Sequence, residues 1–137
     1  MTTDQWLYNE KIFDKEIIEK EKFFGFVYNI TNLDTGRMYV GKKLFTRATT
    51  YQKKGKKKKK RVNSDWENYY GSSEDLLEDI TKLGKENFKR EILHLCKSRG
   101  MCSYLEAREQ MDRRVVESDA YYNKYIQVRI NQAHIKF

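Results

Sequence analysis

Tyr28 and Tyr39 stand where two phenols could act on a common group. Tyr28 closes the string Gly25-Phe26-Val27-Tyr28, and Tyr39 lies in Met38-Tyr39-Val40-Gly41. Phe24 to Ile30 is dense in aromatic and β-branched residues, Asn32-Leu33-Asp34-Thr35-Gly36 is a turn cluster, and Arg37 to Gly41 resumes the strand pattern. The segment reads as a β-hairpin. Side chains alternate between the faces of a strand, so antiparallel pairing brings both tyrosines to one side. They either share a space for proton chemistry or pack against a helix with their hydroxyls at the rim, as most strand tyrosines do. A phenol of pKa ~10 is a poor base at neutral pH and needs a neighbouring cation or metal ion to draw off its proton.

A second chemical feature is the run Lys53-Lys54-Gly55-Lys56-Lys57-Lys58-Lys59-Lys60-Arg61. Like charges this close repel, which predicts a mobile loop in the free protein. Against phosphates the same run becomes favourable, because each neutralised phosphate releases condensed counterions. A solvated loop and a nuclear-localisation signal are the competing readings, and lysines carry no base-sequence information in themselves.

The whole chain is consistent with that partner. Its 137 residues fit a single domain, and a net charge of +8 with pI near 9.4 attracts a polyanion, nucleic acid ahead of an acidic membrane surface. No stretch is apolar enough for a membrane span, and Asp4, Glu10 and Asp14 are foreign to a signal peptide, so a cytoplasmic location is expected. Cys96 and Cys102, even with His94 nearby, complete neither a zinc set nor a disulfide framework.

The remaining elements must hold these groups in place. Trp6, Leu7, Ile12, Phe13, Ile17 and Ile18 suggest an amphipathic helix over residues 4–23. Ser73 before Glu74-Asp75 opens a helix that Gly84 ends, and Phe88 to Cys96 alternates as a third strand. A further helix is expected from Ser103 through Ser118. Residues 127–137 supply an edge strand or a docking tail.

The two hairpin strings resemble the paired signature of the GIY-YIG endonucleases. Tyr104-Leu105-Glu106-Ala107 and Tyr122-Asn123 follow in the family's order, so the likeness spans about residues 24 to 126. Ser64-Asp65-Trp66, Tyr70-Gly71-Ser72-Ser73 and Tyr121-Tyr122-Asn123 most resemble small, phage-encoded, free-standing members related to homing endonucleases. The resemblance implies an α+β fold, a small three-stranded antiparallel sheet flanked by helices, with an N-terminal helical extension (1–23), a catalytic core (24–126) carrying the lysine-rich loop, and a tail (127–137).

It also implies divalent-metal-dependent hydrolysis of DNA phosphodiesters. Tyr28 matches the tyrosine beside the attacking water, acting as a general base or relaying to one, and Tyr39 matches the one that orients water or phosphate. Glu106 matches the ligand of Mg²⁺ or Mn²⁺, with Glu109 as its rival one turn away, and Asn123 matches the bracing asparagine. Thr49 stands where the family places an arginine on the transition-state phosphate. Lys43 and Arg47 are therefore ranked for that charge ahead of Arg61, and Lys42 is a further source directly after the strand. Lys42, Lys53, Lys54, Lys56, Lys57, Lys58, Lys59, Lys60 and Arg61 are the expected DNA-backbone contacts. The resemblance calls for no small-molecule cofactor and no membrane, and if a phage encodes the chain its location is the host cytoplasm. Sequence specificity is expected to be modest, or to come from a homodimer or a partner protein. The alternative is a basic DNA- or RNA-binding module on a degenerate nuclease fold, without catalysis.

Overall fold

Phe26, Tyr28 and Ile30 alternate with Val27 and Asn29 along one segment, and nearly all of it is buried. Such a strand must have cover on both faces, and it takes the centre of the sheet. The computed structural model describes residues 4–135. The first three residues of the expected extension and the last two of the tail lie outside the described residues.

In chain order the elements are β1 (Leu7–Tyr8), β2 (Lys11–Ile12), α1 (Ile17–Lys20), β3 (Gly25–Asn32), β4 (Met38–Leu44), β5 (Thr46–Lys53), β6 (Lys56–Asn63), α2 (Glu74–Leu83), β7 (Phe88–Cys96) and α3 (Arg99–Asp112). The architecture is α+β. The main sheet runs β2-β1-β7-β3-β4, and β5 and β6 form a separate two-stranded sheet. Where three antiparallel strands were expected there are five: β7, β3 and β4 pair antiparallel, and the two-residue strands β1 and β2 widen the sheet, β1 running parallel to β7. α2 packs on the face of Phe26, Tyr28 and Ile30 through Leu76 and Ile80. α3 packs on the opposite face, against Val27 and Val40, through Met101, Cys102 and Leu105.

Local signals explain α2 and β7. Ser73 Oγ accepts the Leu76 N–H and caps α2, and Gly84 ends it with φ 89°. α3 begins before its expected start, because Ser98 Oγ caps it by accepting the Met101 N–H. It also ends early, where Arg114 turns left-handed and Val115 drops into the core.

Three expected elements differ. The helix over residues 4–23 is replaced by the β1–β2 hairpin and the single turn of α1. Asn9 and Glu10 turn the chain at φ 52° and 67°, and Trp6 and Phe13 are drawn into the core, the Trp6 indole N–H donating to the Trp66 carbonyl at 2.8 Å. The lysine-rich loop is the hairpin of β5 and β6. Lys54 and Gly55 take φ 53° and 75° in a tight turn, and the ladder sets Thr49, Thr50, Tyr51 and Gln52 opposite Lys60, Lys59, Lys58 and Lys57. Only Lys53 and Lys56 set one cation directly opposite another in this ladder, so repulsion does not melt it. Among the described residues the tail forms no strand. Residues just before it do the edge pairing, Tyr121 bridging to Met38.

A buried arginine ties the long connections to the sheet. Arg90 on β7 is 2% exposed, lies between the rings of Trp6 and Tyr70 at 4.5 and 4.1 Å, and donates to the carbonyls of Glu67, Tyr69 and Asp4. Arg90→Leu keeps much of the volume but strands three acceptors. It should lower the free energy of unfolding in urea by about 3 kcal/mol, and a loss below about 1 kcal/mol would show that the guanidinium is not the tie.

Candidate active site

The β3–β4 ladder sets Tyr28 opposite Gly41 and Ile30 opposite Tyr39, which puts the two phenols on the same face with ring centroids 6.2 Å apart. The expected sharing of a face is therefore present, but the environments differ. Tyr28 is 1% exposed, enclosed by Trp6, Phe26 and Tyr69. Burial raises its pKa well above the ordinary phenol value, and the neighbouring Tyr69 and Tyr39 add to this. That environment holds the proton in place, the opposite of what a base at neutral pH needs. Tyr39 reaches the surface, where its hydroxyl lies 3.2 Å from Ser72 Oγ; burial raises its pKa too, against the lowering effect of that hydrogen bond.

Gly41 makes this packing possible. A Cβ at position 41 would stand 2.5 Å from the Tyr28 hydroxyl and 2.7 Å from the ring carbon bearing it. Only a residue without a side chain lets the phenol lie flat across β4.

β4 is the outer strand of the sheet, and a cleft of about 520 Å³ runs along it, lined by Tyr39, Lys42, Glu106, Asn123, Lys124 and Tyr125 among others. Glu106 comes to it from α3. Its carboxylate is raised in pKa by burial, partly offset by the Lys42 ammonium and by the Lys42 backbone N–H that it accepts. Among the described residues it makes no ion pair within 4.0 Å. Glu109 lies elsewhere. Burial works against its charge, yet hydrogen bonds from His94 at 2.8 Å and Arg113 at 2.9 Å hold its pKa below the usual range. Of the two rivals, only Glu106 faces the cleft.

Asn123 braces the strand edge. Its Nδ2 donates to the Val40 carbonyl at 2.8 Å and its Oδ1 accepts the Val40 N–H at 3.0 Å, while Gln110 Nε2 donates to the same carbonyl at 2.9 Å. Gln110 was not singled out from the sequence, although its position one helical turn after Glu106 puts it on the same side of α3.

Lys43, Arg47 and Arg61, three of the cations expected at the phosphate, do not line the cleft. Lys43 pairs with Asp65 at 2.7 Å and lies 4.1 Å from the centre of the Tyr69 ring. That hydrogen bond is the largest cause of the lowered Asp65 pKa. Arg47 is on β5, and Arg61 donates from Nε and a terminal nitrogen to Thr46. Lys42, the fourth, does line it; alternation turns 42 to the α3 side of the sheet, beside Glu106, and 43 to the Tyr28 side, where Asp65 holds it. Lys53, Lys54 and Lys56 to Lys60 stand exposed on the hairpin, away from the residues that line the cleft.

A basic α+β domain with phenol, carboxylate and ammonium groups gathered at one sheet edge has the charge to meet a polyanion and the group types that phosphate chemistry uses. The family model described as "Putative endonuclease segE, GIY-YIG domain" matches residues 6–126. The chain belongs to the GIY-YIG endonuclease family, whose nuclease domain implies DNA as substrate. No curated protein and no solved structure matches it significantly.

Two outcomes test this geometry. Gly41→Ala should lower Tm by several degrees through overpacking against Tyr28, and adding Tyr28→Phe, which removes the nearest atom, should restore part of the loss. Additive losses would show that position 41 does not press on the hydroxyl. Because folding raises the Glu106 pKa, the charged carboxylate opposes folding, and the stability it allows at low pH is lost as pH rises through the raised value. Glu106→Gln in EDTA should therefore melt higher than the parent at pH 8, the gain vanishing below the ordinary carboxylate range; a lower Tm at pH 8 would contradict the assignment.

Proposed function

We propose that this protein is a phage-encoded, divalent-metal-dependent endonuclease that hydrolyses DNA phosphodiester bonds in the cleft beside β4. The observation that carries the reading is the unpaired, desolvated Glu106 carboxylate sharing that cleft with Tyr39, Lys42 and Asn123. The likeness of Ser64-Asp65-Trp66 and Tyr70-Gly71-Ser72-Ser73 to small phage members supports the proposed origin.

The donor set fits a hard cation. Among the described residues no cluster of three or more His, Cys, Asp or Glu side chains could cage a metal. One carboxylate beside an open cleft suits Mg²⁺ or Mn²⁺, which is content with water and substrate oxygens as its other ligands. Glu106 would hold it, and the bound ion supplies neutralisation of the phosphoryl and leaving oxygens.

The chain's own groups then divide the remaining work. Lys42 places its ammonium group near Glu106, where charge builds up on the phosphate in the transition state. Tyr39, protonated at neutral pH, uses its hydroxyl to orient the attacking water or a phosphate oxygen, with Ser72 fixing the phenol. Tyr28 has its hydroxyl enclosed over Gly41 and positions Tyr39 rather than touching solvent. Asn123 and Gln110 keep the Val40 edge closed, so that Tyr39, just before it, and Lys42, two residues after it, keep their directions. This moves the transition-state charge from Lys43 and Arg47 to Lys42.

Supercoiled plasmid incubated with the protein and Mg²⁺ or Mn²⁺ should be nicked or linearised. Glu106→Ala and Lys42→Met should each cut the rate by roughly a hundredfold or more, while Glu109→Ala and Lys43→Met stay within about tenfold. DNA that binds but yields no product with either ion, or cutting that survives Glu106→Ala unchanged, would overturn the reading in favour of a non-catalytic binding module.

A further inference from the structure

The lysine-rich hairpin has two unequal faces. Residues directly opposite in an antiparallel ladder share a face. One face carries Arg47, Tyr51, Lys53, Lys56, Lys58 and Lys60, with the Lys60 ammonium 5.1 Å from the centre of the Tyr51 ring. The other carries Lys57, Lys59 and Arg61, and Arg61 is held down, bonded to Thr46 and lying 4.7 Å from the centre of the Phe24 ring. The charge that can meet a polyanion is therefore concentrated on the first face.

The hairpin is also rooted. Phe45, 2% exposed, anchors its base; its N–H donates to the Phe24 carbonyl at 3.0 Å, Ser64 N–H donates to the Phe45 carbonyl at 2.9 Å, and Ser64 Oγ to Leu44 at 2.6 Å. β5 follows β4 with one residue between them, so the ribbon extends from the strand that bears Tyr39 and Lys42. An arm with a fixed base presents one face consistently, which a flexible loop cannot do.

We propose that this ribbon is a duplex-binding arm whose Lys53, Lys56, Lys58 and Lys60 face enters the major groove of B-form DNA beside the site of cutting. Each strand of eight residues spans about 26 Å at ~3.3 Å per residue. The major groove, about 12 Å wide, admits a two-stranded ribbon, whereas the minor groove, about 6 Å wide, does not. The deep, narrow major groove of A-form RNA shuts the same ribbon out, so shape selects DNA over duplex RNA. A single strand is the poorer ligand, since Tyr51 is the one aromatic ring in β5 and β6 on which a base could stack. The inference deepens the nuclease reading by naming how its substrate is gripped, and it is measured without cleavage.

The test compares two full-length variants that remove equal charge from adjacent positions on opposite faces, Lys58→Gln/Lys60→Gln and Lys57→Gln/Lys59→Gln. Both should melt with the parent, because all four side chains are exposed. Binding to a short DNA duplex is followed in EDTA as a function of salt. The 58/60 pair should lose about tenfold or more in affinity and about two from the salt slope, and the 57/59 pair less than about threefold. Dimethyl sulfate should find guanine N7, which lies in the major groove, protected by the parent and exposed with the 58/60 pair. An RNA duplex of the same sequence should bind at least tenfold more weakly. Equal losses from the two pairs, protection confined to adenine N3 in the minor groove, or equal affinity for RNA would each overturn the proposal. Plasmid cutting by the parent protein is scored separately: face-dependent binding without cutting would sink the nuclease reading and leave the arm, and cutting with equal losses would do the reverse.

Discussion

β4 is an outer strand, and the free edge of an outer strand presents N–H and carbonyl groups that must find partners. At Val40 those partners are side chains. Asn123 takes both backbone groups, in the manner of another strand, and Gln110 adds a second donor to the carbonyl. Either group left buried without a partner would cost about 1–3 kcal/mol. Tyr39 precedes Val40, and Gly41 and Lys42 follow it, so the closure fixes the backbone from which the site's side chains leave. Because the closing residues come from α3 and from the segment after it, the same bonds hold Glu106 and Tyr125 over the same edge.

That arrangement lets one cleft draw on both faces of a sheet. Tyr39, with Tyr28 buried beside it, belongs to the face covered by α2, Lys42 and Glu106 to the face covered by α3, and Tyr39, Lys42 and Glu106 meet at the strand margin. The electrostatics set the two glutamates apart. Glu106 keeps a desolvated carboxylate with Lys42 as its nearby cation, a state a bound cation would relieve, whereas Glu109, similarly half-buried, is satisfied by His94 and Arg113. Both phenols stay protonated and serve best as directed hydrogen-bonding groups.

Much of this was readable in the sequence where signals were local. The turn cluster from Asn32 to Gly36, the Ser73 cap and the Gly84 stop lie beside the elements they bound, and strand alternation predicted that Tyr28 and Tyr39 share a face. Features settled by distant contacts were not readable. Trp6 binds Trp66 and stacks on Arg90, and those contacts replaced a helix with a small hairpin. The lysine run read as a loop because its charge was visible and its neutral partners in β5, beyond the Lys54-Gly55 turn, were not. Which of Lys42 and Lys43 lines the cleft depended on which face of the sheet curls into it; the resemblance already ranks Glu106 ahead of Glu109, and what the sequence did not show is that His94 satisfies Glu109 from β7. The enclosure of Tyr28 depended on Trp6 and Tyr69, neither of them near it in sequence.

A crystal soaked in Mn²⁺ and read by its anomalous signal tests the central claim most directly. The predicted peak lies about 2.1 Å from a Glu106 carboxylate oxygen, in the cleft beside Tyr39 and Lys42. A peak at Glu109 or on the hairpin, with none at Glu106, would contradict the account.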